Sequence, residues 1–228
     1  MIFNQFFDTI SSTFTYLISS GKGREALIID PVLENTNDYI LFLKKLDLKL
    51  VKVIDTHIHA DHVSGLKQLH QQTGCAVLMG EKSPSEVVTL KVKDNEKIKI
   101  ENIELTSMYT PGHTDCSYSF LMKDRIFTGD TLLINGTGRT DFQNGNPIDQ
   151  YHSLFDRILK LPEKILVFPA HDYKGNKVST IGNEKKNNPR LKVDSPDQYV
   201  EVMNNLNLDN PKMMDIAVPA NIKGKTLD

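Results

Sequence analysis

One short stretch limits what this chain can become. Leu50–Asp55 is β-branched, nearly continuous in apolar character, and runs straight into Thr56-His57-Ile58-His59-Ala60-Asp61-His62. A run of that length and composition reads as a strand buried on both faces. Val63, Leu66 and Leu69 then recur at helical spacing, with Gly74 where a helix C-cap belongs. The tight junction between strand and helix therefore holds His57, His59, Asp61 and His62, all able to ligate a metal. On a strand His57 and His59 point the same way, while Asp61 and His62 turn with the chain. A metal takes imidazole as the neutral ring and needs its second nitrogen held by a neighbour. Clustered His and Asp supply both functions. The spacing predicts a metal site without naming the metal.

Around this junction the pattern is strands in blocks, each block closed by helices. Phe3–Phe7, Phe14–Ser19 and Glu25–Asp30 are compact apolar or alternating runs, and Asn37–Leu46 carries a helical stripe. Strands return at Ala76–Met79, Lys97–Ile100, Ile103–Tyr109, Tyr118–Met122 and Arg125–Thr128. An amphipathic helix over Pro147–Leu161 turns Tyr151, Leu154, Phe155, Ile158 and Leu159 inward. A buried strand Ile165–Pro169 ends at His171, and Ser195-Pro196-Asp197 starts a helix over Asp197–Leu206. This order favours an α/β fold of two packed sheets with helices outside over a doubly wound parallel sheet. No linker rich in Gly, Ser or Pro divides the chain. The expectation is a single domain over 1–228, with residues from about 173 as a C-terminal extension packed on it.

Composition narrows the chemistry. With 27 basic against 29 acidic side chains, no broad nucleic-acid surface is expected. No run approaches the roughly 20 apolar residues that span a bilayer, and no basic residue precedes Lys22, so no signal or transit segment is expected. The expected location is cytoplasmic. Seven histidines against two cysteines, Cys75 and Cys116, mean that a bound metal would take nitrogen and oxygen ligands.

Three more candidates stand at strand ends: His113 in Thr110-Pro111-Gly112-His113-Thr114, Asp130 in Thr128-Gly129-Asp130, and His171 in Pro169-Ala170-His171. Alone, each would pass as a capped or solvated residue, the class to which His70 and His152 are assigned. Together with the cluster they resemble the metallo-β-lactamase superfamily, in order and across most of the chain. The resemblance implies an αββα metallo-β-lactamase-like sandwich of two mixed β-sheets flanked by helices.

Further motifs narrow the choice. They are Phe127–Ile134 leading into Gly138-Arg139-Thr140-Asp141-Phe142-Gln143, then Pro169–Gly175, Val178–Gly182, Asn188-Pro189-Arg190-Leu191, Met203–Leu208 and Ala217–Asn221. These are similar to the persulfide dioxygenase branch over nearly the whole chain. That branch implies one non-haem Fe(II) per chain on His57, His113 and Asp130, which would form the catalytic centre. It places His59, Asp61, His62 and His171 around that centre as orienting groups, with Tyr173, Arg190 and Arg139 as candidates to bind substrate. The implied reaction is oxidation of glutathione persulfide by O₂ to sulfite and glutathione. A homodimer is expected, with a separate rhodanese or sulfide:quinone oxidoreductase as pathway partner.

The chain departs from the branch at Cys116, displaced by one position, at Thr137 in place of a cysteine, and at Asn135 where a basic residue is common. None of these touches a ligand. The rival reading is a glyoxalase II-like hydroxyacylglutathione hydrolase with a binuclear metal site. It would use His57, His59 and His113 for one metal, Asp61, His62 and His171 for the other, and Asp130 as the bridge. A non-catalytic protein on the same scaffold would be expected to have lost ligands, and none is lost.

Overall fold

The structure is a computed structural model and describes residues 1–209, 211 and 213–224. The last four positions of the 1–228 expectation, with 210 and 212, lie outside it.

The first sheet runs in chain order: β1 (Ile2–Asp8), β2 (Thr13–Ser19), β3 (Glu25–Ile29), β4 (Lys49–Ile54), β5 (Ala76–Gly80) and β6 (Leu90–Val92). Its first three strands pair antiparallel and the rest parallel; helical crossovers α1 (Thr36–Lys45) and α2 (Leu66–Thr73) connect β3 to β4 and β4 to β5, and a loop connects β5 to β6. Gly74 ends α2 in the left-handed conformation, φ 71°, with its amide on the His70 carbonyl. The second sheet comprises β7 (Lys97–Ile100), β8 (Ile103–Tyr109), β9 (Tyr118–Leu121), β10 (Arg125–Gly129), β11 (Leu166–Pro169) and β12 (Ser179–Thr180). They lie in the order β12-β11-β10-β9-β8-β7, with β10 and β11 parallel and the other pairs antiparallel. Both sheets are mixed and flanked by helices, the αββα sandwich expected.

Period-two alternation sorts the side chains into layers. Phe14, Tyr16 and Ile18 of β2 and Leu27 and Ile29 of β3 meet Leu105, Phe120, Phe127 and Phe168 between the sheets. The intervening Leu17, Ala26 and Ile28 face Tyr39, Leu43, Leu66 and Leu69 of the helices. Outside the second sheet, Ile126 and Val167 pack on Leu154, Ile158, Tyr199 and Met203. Each large side chain so buried stabilises the fold by about 1.5–3 kcal/mol.

The helix expected over Pro147–Leu161 is not uniform. It begins as α3 (Pro147–His152), capped by the Asn146 side chain, widens into a π turn over Ser153–Arg157, and tightens to 3₁₀ over Ile158–Lys160. Its five apolar side chains keep the expected i, i+3, i+4, i+7, i+8 stripe, with Leu154, Ile158 and Leu159 in the core and Tyr151 and Phe155 packed against it. After β12 come α4 (Ile181–Asn187), α5 (Pro196–Asn204), started by the Ser195 side chain as expected, and α6 (Met214–Lys223).

Candidate metal centre

β4 of one sheet and β10 and β11 of the other end at the same edge of the sandwich. The Tyr118 amide on the Thr56 carbonyl (2.9 Å) and a bridge pairing Thr13 with His171 join the sheets there. Just past these ends, His57, His113 and Asp130 bring one ligand atom each within 4.8 Å of one another.

Tautomers follow from the partners. His113 Nδ1 lies 2.7 Å from the Arg139 carbonyl, which can only accept, so in the neutral ring the proton sits on Nδ1 and Nε2 is bare. That bare nitrogen faces Asp130 Oδ2 at 3.5 Å. Thr56 Oγ1 donates to Asp30 Oδ2 (3.1 Å) and therefore receives His57 Nδ1–H (2.9 Å), which leaves His57 Nε2 bare as well. Burial, then the neighbouring His59 and His113, hold the His57 pKa well below its ordinary value and keep the ring neutral. Two bare imidazole nitrogens converging on a carboxylate oxygen repel one another unless a cation lies between them. The donor set fits a metal ion with two nitrogens and one oxygen. His113 and Asp130 keep 11% and 13% side-chain exposure while His57 is sealed, so the centre opens on their side.

The other ring groups lie alongside. His59 donates from Nε2 to Asp30 Oδ1 (3.2 Å), and its Nδ1 is buried without a partner, as is Nε2 of His62. These two histidines and Asp61 form a second group with ligand atoms within 4.8 Å. Burial disfavours charge on His59, but the Asp30 bond and the charges of Asp30, Asp55 and Asp61 outweigh it and raise its pKa. His171 differs: Nδ1 meets Asp130 Oδ1 at 2.7 Å and Nε2 meets Asp61 Oδ2 at 2.8 Å. Burial opposes its charge, and the two carboxylates override burial to raise its pKa well above the ordinary value. A ring donating from both nitrogens has no lone pair to give a metal.

Of the candidates for substrate, Tyr173 is exposed and stacks parallel on His171, with ring centroids 6.1 Å apart. Arg190 donates through Nη1 to the Thr137 carbonyl, in the loop packed against His113 and Asp130. Arg139 is committed elsewhere: it forks onto both Asp141 oxygens at 2.6 Å and donates to the Asp209 carbonyl at 2.7 Å. His70 bonds the Cys75 carbonyl and His152 pairs with Asp156 in the next turn, both outside the centre.

Several supporting residues stand outside the candidate site residues read from the sequence. Asp30 receives the Thr56 amide (2.7 Å) and hydroxyl in addition to His59; a lone acid closing an apolar strand before Pro31 was the available signal. Asn221 of α6 donates to the His59 and His62 carbonyls (2.9 and 3.0 Å) and accepts the Ser64 amide (2.8 Å). The C-terminal helix thus clamps the histidine loop. Asn221→Ala leaves these buried groups unpaired. It should lower unfolding free energy by about 3 kcal/mol and lower metal retention, as read by denaturant melts and metal analysis.

The profile of the metallo-β-lactamase superfamily matches residues 8–86 and 83–171. Human mitochondrial persulfide dioxygenase ETHE1 is 41% identical over 226 residues, which cover 98% of this chain and 88% of the human protein. The chain belongs to the persulfide dioxygenase family. The same family contains a solved neighbour, ETHE1 from Myxococcus xanthus, 44% identical, which superposes with a TM-score of 0.94 over 97% of this chain and 98% of its own. Hydroxyacylglutathione hydrolase from Dictyostelium discoideum is 32% identical over only 70% of this chain and 62% of its own length. Likeness to persulfide dioxygenases extends through the C-terminal segment; likeness to that hydrolase covers less of both chains.

Proposed function

We propose that this protein is an iron-dependent persulfide dioxygenase whose substrate is glutathione persulfide. The observation that carries the reading is the near-full-length identity to persulfide dioxygenases, combined with a two-histidine, one-carboxylate donor set. The balanced reaction, with GS the glutathionyl group, is GSSH + O₂ + H₂O → GSH + SO₃²⁻ + 2 H⁺.

His57 and His113, through Nε2, and Asp130, through Oδ2, hold one Fe(II) per chain in this reading. An iron held by two imidazole nitrogens and one carboxylate would supply the redox chemistry that activates O₂ toward the persulfide sulfur. Thr56 and the Arg139 carbonyl fix the two ring tautomers, and His171 holds Asp130 from behind. His59, Asp61 and His62 line the neighbouring side as orienting groups. In this reading Tyr173, stacked on His171, and Arg190 bind the substrate, and a guanidinium suits a glutathione carboxylate. The full chain acts as one domain, as a cytoplasmic homodimer supplied with persulfide by a separate rhodanese or sulfide:quinone oxidoreductase. No helix among the described residues is long and apolar enough to cross a membrane.

Metal analysis paired with an oxygen electrode tests the reading. The purified protein should hold one iron per chain and consume O₂ only when glutathione persulfide is added. Two zincs per chain, no O₂ uptake and hydrolysis of S-lactoylglutathione would replace it with the binuclear hydrolase.

A further inference from the structure

We propose that Thr13, Ser11 and Asp8 form a proton-exit relay from the reaction centre to the surface. The inference rests on the dioxygenase reading, whose balance releases two protons per sulfite inside a site lined by buried rings. Those protons need a route to solvent.

Asp61 is the inner end. Its Oδ2 gathers His171 Nε2 (2.8 Å), His62 Nδ1 (2.9 Å) and Thr13 Oγ1 (3.0 Å), and His171 links it onward to Asp130. Thr13 is fully buried, and its hydroxyl lies 2.7 Å from Ser11 Oγ. Ser11 Oγ lies in turn 2.7 Å from Asp8 Oδ2. Asp8 and Ser11 are half-buried, next to exposed Thr9 and Ile10. An unbroken line of oxygens therefore joins Asp61 to solvent, on the side where Thr13 bridges to His171, and the His171 ring joins Asp61 to Asp130.

The proton count shows why this line is suited to conduction. Three oxygen contacts, from Asp61 to Thr13 to Ser11 to Asp8, contain two hydroxyl protons when both carboxylates are ionised. If Thr13 donates to Asp61 and Ser11 to Asp8, the contact between the hydroxyls has none. A proton arriving on Asp61 supplies the third. With Asp61 protonated, the Thr13 hydroxyl turns its proton from Asp61 to Ser11. The Asp61 proton then passes to Thr13 Oγ1 as the Thr13 proton moves to Ser11 Oγ and the Ser11 proton moves to Asp8 Oδ2. Asp61 is then ionised again, both hydroxyls are restored, and the proton sits on Asp8 beside water. No heavy-atom bond changes.

Asp8 also accepts the Ile10 and Ser11 amides at 3.2 and 2.7 Å, bonds that close the turn. Ser11→Ala keeps both and deletes only the hydroxyl, so it separates conduction from turn geometry. In persulfide-dependent O₂ uptake, Ser11→Ala should lower kcat on the order of 10-fold. KM and iron content should stay unchanged, and the solvent deuterium isotope effect on kcat should rise; Ser11→Thr should recover most of the rate. Thr13→Val should show the same signature, and if it fails to retain iron, Ser11→Ala alone decides. Wild-type kcat and isotope effect in Ser11→Ala would overturn the relay. Absence of persulfide-dependent O₂ uptake in the unsubstituted protein would overturn the dioxygenase reading and the relay with it.

Discussion

Asp130→Ala should strip the metal and abolish persulfide-dependent O₂ uptake, whereas His171→Ala should keep more than half of its iron and turn over about 10–100-fold more slowly. The contrast comes from what each side chain offers. Asp130 turns Oδ2 toward the bare Nε2 of His113 and gives Oδ1 to His171. Removing it leaves two neutral imidazoles, too few donors and no charge for a divalent ion. His171 spends both nitrogens on Asp130 and Asp61. Its loss frees the orientation of Asp130 but leaves His57, His113 and the carboxylate in place. Iron content by metal analysis and rate by oxygen electrode, read on both variants, make the test. Equal loss of metal from the two would mean that His171 is itself a ligand, as the binuclear arrangement requires.

The parts of this centre that could be read from the sequence are those written in local pattern. Leu50–Asp55 announced its strand because two-sided burial demands continuous apolar character, and β4 spans Lys49–Ile54. His57 and His59 share a short segment, so their proximity needed no tertiary information. Thr13 and Asp30 were illegible for the opposite reason. Each looks like an ordinary strand-end polar residue, and each gains its role by meeting groups far along the chain: Thr13 meets His171, and Asp30 meets Thr56 and His59. The last helix was hidden differently. Pro219 stands inside α6 and removes an amide from its interior, so the stretch does not read as a helix. Ala217, Ala220 and Asn221 still form its buried face, at spacings of three and four. What holds that helix is packing of Ala217 and Ala220 on Val63 together with the clamp on the His59 and His62 carbonyls, contacts outside any local window. Arg139 is a caution of the same kind. The resemblance made it a candidate to bind substrate, and Asp141 and the Asp209 carbonyl hold it in the structure.

Gly138→Ala should remove metal binding nearly as completely as loss of a ligand, although Gly138 can ligate nothing. A Cβ at this position would stand 2.2 Å from the Asp130 carbonyl and 2.8 Å from Nδ1 of His113. Neither neighbour can yield. The Asp130 carbonyl accepts the Gly138 amide at 2.7 Å, and His113 Nδ1 is fixed by the Arg139 carbonyl at the same distance. The Gly138 carbonyl is in turn tied to the Gln150 side chain at 3.1 Å. A methyl group must therefore push the loop away from two of the three donors at once, and a displacement near 1 Å at a reacting centre costs on the order of 100-fold. Metal affinity and persulfide oxidation should both fall by at least that factor. The outer core reaches this loop through Tyr199 and Met203, which touch Thr137, so a denaturant melt of the variant separates loss of metal from loss of fold. Gly136→Ala is the control within the same loop: its nearest neighbour would be Leu133 Cβ at 3.9 Å, an ordinary contact. It should retain iron and activity close to the unsubstituted protein. Equal behaviour of the two variants in metal titration would show that close approach at Gly138 does not set the geometry of His113 and Asp130.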